Sequence, residues 1–263
     1  MSFEQLRYVT KLGSANSSHF SLVHEWDAKR QHLAVYLQDI PLSAAEYVNR
    51  VTAPYDQDSK LTIQDPFPRI RLSSLCEAAT NCLYGMAEIA AQFANKASAG
   101  QFPSNFNALR KKAERGEFQH LALADWLDDF GWYKKVRELR TEWVHFSTVF
   151  IGEDEVGQPV LSVSCLRRDS DREMFNQKIR VPIPELIDWI VKAMSVIDNL
   201  GNYVLVKHVI PKLDLAATVI IPKYDANGWP IFKTDFRVEI EEITIAEYLA
   251  RGGIEVTTVS GYE

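Results

Sequence analysis

The stretch WYKKVRELRTEWVHFSTVF, residues 132–150, decides the fold class of this chain. Its large apolar side chains recur at intervals of four, three, four, three and four residues. They are Trp132, Val136, Leu139, Trp143, Phe146 and Phe150. Because residues three and four apart share one face of an α-helix, this spacing predicts a strongly amphipathic helix with a buried stripe.

Further helices are predicted before this stretch. Apolar and small residues recur at helical spacing over residues 71–97. A shorter helix is expected over residues 105–115, because the hydroxyl of Ser104 can cap its start and Gly116 can relieve its end. A second short helix is expected over residues 121–130. The centre of the chain is therefore predicted to be helical.

The last long helix is predicted over residues 184–210. Proline is favourable at the first helical position, which suits Pro184, and a second proline follows at Pro211. Gly201 lies inside this helix, where a missing side chain allows another element to approach closely.

Paired β-strands are predicted at three places. Segments rich in β-branched, aromatic and aliphatic residues flank a polar connection at each of them. The pairs are residues 20–26 with 32–38 near the N-terminus, residues 159–168 with 177–183 between the last two long helices, and residues 218–224 with 229–239 near the C-terminus. Together with the helices they predict an α+β protein that is mainly α.

The order of these elements divides the chain into three segments. Residues 1–70 hold the N-terminal hairpin, a short helix over residues 43–51 and an irregular connector. Residues 71–211 hold the helical bundle, with the second hairpin inserted at residues 159–183. Residues 212–263 hold the C-terminal hairpin and a tail. The alternative is that all three segments form one compact domain.

Composition and charge limit the function classes. The 263 residues are 46% hydrophobic, which is enough for a substantial core, and the net charge is −6. An acidic chain has no overall positive field to attract nucleic acid, so an RNA site on it must be local. Cys76, Cys82 and Cys165 form no CxxC pair, which predicts buried free thiols.

Targeting and membrane signals are not found in the sequence. The first residues lack the basic start and apolar run of a signal peptide, and no stretch of eighteen uncharged apolar residues follows. A cytoplasmic protein without a membrane partner is expected.

A candidate catalytic pair lies on the amphipathic helix predicted from residues 132–150. Arg140 and His145 are separated by four residues within it. Arg115 and His120 have the same spacing, but they straddle Gly116 at a helix end. This motif on a bundle helix resembles that of the HEPN superfamily, and the resemblance covers roughly residues 71–210.

The resemblance implies a HEPN-like helical bundle to which the three β-hairpins are additions. It also implies metal-independent RNA cleavage, in which a ribose 2′-hydroxyl attacks the adjacent phosphate, with Arg140 and His145 as catalytic residues. His145 would act as general acid or base, and Arg140 would stabilise the phosphate charge. Arg137 would add a phosphate contact, and Thr141 would orient the histidine ring. A homodimer that packs its motif faces together would bring both pairs into one cleft.

No metal or cofactor is expected from local motifs. The histidines do not repeat at metal-ligand spacing, and no Walker loop, GxGxxG, GxSxG or HExxH occurs. The leading hypothesis, which the HEPN resemblance implies, is an RNA-cleaving toxin or defence component, with RNA and a protein partner or antitoxin as partners. The alternatives are a noncatalytic HEPN-like module that binds RNA, a nucleotide or a protein, and a structural or assembly protein.

Overall fold

The computed structural model describes residues 17–51, 67–118, 131–146, 149–168, 174–226, 229–235 and 237–251. Within these ranges, residues 17–20, 50–51, 131, 145–146, 163–168, 174–179 and 219 are described by their backbone alone. The chain divides into two compact units, His24–Gly201 and the combination of Met1–Val23 with Asn202–Glu263. The three-segment division drawn from the sequence stays a prediction.

A single long helix, α1, covers Ser17–Val51. The predicted N-terminal hairpin over residues 20–38 is therefore wrong, and the helix predicted over residues 43–51 is the end of α1. Trp26, Leu33, Ile40 and Tyr47 follow one another at seven-residue intervals, and all four are buried. This stripe runs without a change of phase through both predicted strands and their supposed turn. Its helical period outweighs the strand preference of the individual residues, which depends strongly on context.

The next two helices confirm their predictions. Helix α2 covers Phe67–Ala97, and helix α3 covers Phe106–Glu114. The N-cap of α3 is Asn105, whose side-chain oxygen accepts a hydrogen bond from the Ala108 amide at 2.8 Å. The expected cap, Ser104, is the residue before it. Gly116 has a φ of 76°, the left-handed conformation that favours glycine after a helix.

Helix α4 covers Gly131–Phe146, and most of its predicted stripe is buried. The buried members are Trp132, Val136, Leu139 and Trp143. The helix ends before Phe150, which lies on a strand and is 47% exposed, so the predicted stripe was one turn too long. The helix predicted over residues 121–130 lies outside the described residues.

A three-stranded antiparallel sheet follows, in the order β1-β2-β3. Strand β2, Pro159–Arg168, pairs with β3, Met174–Pro182, which confirms the hairpin predicted between the long helices. Strand β1, Val149–Glu153, pairs with the other edge of β2 and was not predicted. The register places Leu161 opposite Ile151 on one side and Val181 on the other, and all three side chains are buried.

Helix α5 covers Ile183–Val204 and packs closely against α1. A Cβ placed on Gly201 would lie 2.3 Å from Cη2 of Trp26, so only glycine fits at this contact. The predicted close-packing role of Gly201 is confirmed. The α-helical geometry stops before the predicted end at residue 210, because Leu205–Val209 form a π-helical turn and Ile210–Lys212 a 3-10 turn.

A two-stranded sheet and a short helix complete the second unit. Strand β4, Thr218–Pro222, pairs with β5, Ile240–Thr244, and α6 covers Ile245–Arg251. The prediction that residues 229–239 form the strand paired with β4 is therefore wrong. That segment forms only isolated bridges, because the chain reverses again near Asp235, where the Lys233 amide donates to the Arg237 carbonyl at 2.8 Å. The Asn227-Gly228 turn lies outside the described residues.

The architecture is mainly helical with small antiparallel sheets, as the sequence predicted at this level. Among the described helices, none is both long and apolar enough to cross a bilayer.

Candidate functional site

All four residues singled out in the sequence lie on α4. Arg137 is exposed, while Arg140 and Thr141 are half-buried. His145 lies in the last turn of the helix and is described by its backbone alone. The buried stripe of α4 leaves these positions on the remaining arc of the helix.

A groove of about 300 Å³ opens between α3 and α4. Helix α3 contributes Asn107 and Arg110 to its lining. Helix α4 contributes Tyr133, Lys134, Arg137, Glu138 and Thr141. Three cations thus face one carboxylate in the groove of a chain whose net charge is −6. Two of the residues predicted to support catalysis, Arg137 and Thr141, are brought together here.

Arg110 is the most enclosed cation of the groove. Its side chain is 16% exposed and forms an ion pair with Glu114, while Nη2 donates to Oδ1 of Asn107 at 3.3 Å. Its Nε is buried and has no hydrogen-bond partner among the described residues. Because Nε is closed to solvent, an anion that enters the groove would meet Arg110 through its Nη groups, in competition with Glu114.

The hydroxyl of Thr141 is already engaged with the helix. Its Oγ1 donates to the carbonyl oxygen of Arg137 at 2.8 Å, a bond back to the preceding turn. Thr141 can therefore offer a neighbouring group only the lone pairs of its oxygen. His145 follows Thr141 by one turn, and the orienting role of Thr141 stays a prediction.

Arg140 packs on an aromatic ring of α2. Its guanidinium carbon lies 4.4 Å from the centroid of the Tyr84 ring. Tyr84 in turn stacks on Tyr133 of α4, with ring centroids 5.8 Å apart and planes inclined by 19°. The positive charge over the negative face of a ring is a cation–π contact. The side chain of Arg140 therefore has a defined position against α2.

Glu88 connects this aromatic cluster with α3. The hydroxyl of Tyr133 donates to its Oε1 at 2.7 Å, and the amide of Phe106, in the first turn of α3, donates to Oε2 at 3.4 Å. Burial and the bond to Glu88 raise the pKa of the Tyr133 phenol above its usual value. Tyr133 therefore stays protonated and keeps donating to Glu88 at neutral pH.

The two lysines of α4 have different surroundings. Lys134 lines the groove. Lys135 lies 4.1 Å from the centroid of the Trp189 ring and 3.7 Å from Oε1 of Glu185, both on α5. Lys135 thus joins α4 to α5, and Lys134 is the lysine available to the groove.

The sequence singled out Arg137, Arg140, Thr141 and His145 on α4, but not Tyr133 or the residues of the other helices. Tyr84, Glu88 and Arg110 meet α4 only through tertiary packing, for which spacing along one helix gives no signal. The i,i+4 pair of Arg110 and Glu114 was visible in the sequence, but such pairs are common on solvated helices. Within the described part of the chain, no cluster of three or more His, Cys, Asp and Glu side chains is suited to a metal ion.

The chain was compared with protein-family models, with curated proteins and with solved structures, and no match was found in any of the three.

Proposed function

We propose that this chain is a HEPN-like endoribonuclease that cleaves RNA without a metal ion. Arg140 and His145 are its catalytic residues, and the groove between α3 and α4 holds the phosphate backbone next to them. The observation that carries the proposal is the cationic groove on an otherwise acidic protein, bordered by the same helix that bears the motif. Phosphate contacts supply most of the affinity of proteins for nucleic acid.

The chemistry needs one proton removed and one supplied. A base takes the proton from the ribose 2′-hydroxyl, whose oxygen forms a bond to the neighbouring phosphorus. The bond from phosphorus to the 5′-oxygen breaks, and an acid gives that oxygen a proton. The products are a 2′,3′-cyclic phosphate and a 5′-hydroxyl. In a homodimer, His145 of one copy would act as the base and His145 of the other as the acid. Arg140 would stabilise the negative charge on the phosphate oxygens.

The first experiment measures cleavage of mixed RNA by the purified protein in the presence of a metal chelator. The wild type should give 2′,3′-cyclic phosphate ends. His145→Ala and Arg140→Ala should each lower the rate about a hundredfold or more, since each removes a group acting on the transition state. Lys96→Gln, which neutralises an exposed cation in the last turn of α2, serves as the control and should cleave normally.

A second arm measures binding of a 2′-O-methyl RNA, which cannot be cleaved. The Lys134→Gln/Arg137→Gln double variant should bind more weakly, and its salt dependence should fall by about 0.7 in log–log slope per lost contact. Lys96→Gln should retain both the affinity and the slope. An unchanged affinity in the groove variant would contradict the role of the groove, and cleavage unaffected in both motif variants would contradict the proposed chemistry.

The packing of Arg140 favours a second candidate, a noncatalytic RNA-binding module. A half-buried guanidinium held over the Tyr84 ring can bind a phosphate without taking part in its cleavage. Groove-dependent binding without any cleavage by the folded wild type would select this candidate. The same data would remove the endoribonuclease proposal.

A further inference from the structure

The contacts around Arg140 form a continuous chain from α4 through α2 to α3. Its guanidinium lies over Tyr84, Tyr84 stacks on Tyr133, and Tyr133 donates to Glu88. Glu88 also accepts from the backbone at the start of α3, the helix that carries Arg110. Glu88 thus connects the aromatic rings beside Arg140 with the start of the helix that carries Arg110.

A guanidinium held over a ring differs from a free one in what it can do. The contact keeps the guanidinium carbon 4.4 Å from the ring centroid and uses no N–H donor in a salt bridge. A phosphate is bound best by two parallel donors of such a group. A ring that fixes the position of the group therefore reduces the ordering needed when the phosphate arrives.

We infer that Tyr84 and Glu88 are positioning residues, which present Arg140 to the phosphate of an RNA substrate and hold the start of α3, with Arg110, beside it. This inference rests on the proposed function, because it assigns Arg140 a phosphate contact. Tyr84 acts through its ring and Glu88 through its carboxylate oxygens. The Tyr84 hydroxyl is not needed for the cation–π contact.

The test uses matched substitutions in the full chain. Tyr84→Leu removes the ring, and Tyr84→Phe retains it but loses the hydroxyl that hydrogen-bonds with Tyr133. Trp189→Leu removes the other ring that holds a cation of α4, Lys135, and so controls for a general loosening of that helix. Tyr133→Phe keeps the stacking ring but removes the donor to Glu88. Affinity for 2′-O-methyl RNA, kcat and KM for cleavable RNA, and the urea midpoint are measured for each variant.

Tyr84→Leu should weaken RNA binding about three- to tenfold and lower kcat, whereas Tyr84→Phe and Trp189→Leu should remain close to wild type. Tyr133→Phe should show a smaller loss in the same direction. In a double-mutant cycle, Tyr84→Leu should add little to Arg140→Ala, because both remove the same phosphate contact. A purely structural role for Tyr84 would shift the urea midpoint and give additive losses in the cycle.

The remaining outcomes separate this inference from the proposed function. If Arg140→Ala is impaired and Tyr84→Leu is not, the positioning role is overturned and the endoribonuclease proposal stands. Equal losses in Tyr84→Leu and Trp189→Leu also overturn it, since they indicate a general disturbance of α4. If Arg140→Ala binds and cleaves as the wild type does, the proposed function fails and the positioning role falls with it.

Discussion

At the scale of single residues, the contact between Gly201 and Trp26 sets how closely α5 approaches α1. The indole of Trp26 is fully buried and also lies edge-on to Phe93 of α2, with ring centroids 6.1 Å apart. One tryptophan therefore contacts two neighbouring helices. The sequence indicated that Gly201 would be a packing point, but its partner could not be predicted, because Trp26 was assigned to a strand.

Gly201→Ala should destabilise the protein by about 1–3 kcal/mol, the usual cost of overpacking. The added Cβ would lie 2.3 Å from the Trp26 ring, so this cost outweighs the gain of up to about 1 kcal/mol that alanine brings to a helix. The free energy of unfolding in urea measures the difference.

Gly85→Ala is the matched control, in α2. Its Cβ would meet Cε of Lys29 at 2.9 Å, the far end of a flexible side chain that can move away. This variant should be neutral or slightly more stable than the wild type. If both substitutions had the same effect, the contact with Trp26 would not be what requires glycine at position 201.

At the scale of elements, α3 is the weakest part of the site because it has only nine residues. Helices this short depend on caps and on tertiary packing. Asn105 supplies the cap, and Phe106 packs against the rings of Trp132 and Tyr133, at 5.5 and 4.8 Å between centroids. The position of Arg110 depends on these contacts.

Asn105→Ala should lower the free energy of unfolding by about 1 kcal/mol, since the Ala108 amide loses its acceptor. Amide hydrogen exchange in the first turn of α3 should speed up in parallel. Ser104→Ala, which changes the cap expected from the sequence, should stay within about 0.5 kcal/mol of wild type. A larger loss in Ser104→Ala than in Asn105→Ala would contradict the observed cap.

The elements also show which sequence signals were reliable. Helices α2 and α4 were predicted because their apolar stripes are long and keep one period. Helix α1 was missed because Phe20, Val23, Val35 and Tyr36 have strand preferences, and its continuous stripe was divided between two short segments. Strand β1 was missed because Phe150 continued the helical spacing of α4. At the site, Arg137 and Thr141 were singled out because they lie beside the motif on one helix, whereas Tyr84, Glu88 and Arg110 require the packing of three helices.

At the scale of the whole molecule, the core protects its thiols. Cys76 is fully buried, and burial raises the pKa of its thiol to about 12. Burial also raises the pKa of Cys82, whose Sγ donates to the carbonyl oxygen of Lys29 at 3.2 Å. Both are free and buried, as the sequence predicted, while Cys165 lies on β2 with only its backbone described.

Cys76 should react with a maleimide far more slowly than an exposed cysteine does. Burial disfavours the thiolate, which is the reactive form, and a reagent reaches the fully buried sulfur only when the core opens. Mass spectrometry after timed labelling at pH 8 measures the rate.

A urea-unfolded sample is the control, in which all cysteines should react at the same rate. Labelling of Cys76 in the folded protein at the rate of a free thiol would show that the core opens readily around α2.

The π-helical turn at Leu205–Val209 has a consequence for how this chain can change in evolution. The Ile210 amide bonds to the Leu205 carbonyl, five residues back, so this turn holds one residue more than an α-turn does. Both Leu205 and Ile210 are buried, at the two ends of the enlarged turn. Losing one residue here would restore an ordinary turn and leave α5 in register. Residues 205–209 are therefore where a single-codon deletion would be best tolerated in this part of the chain.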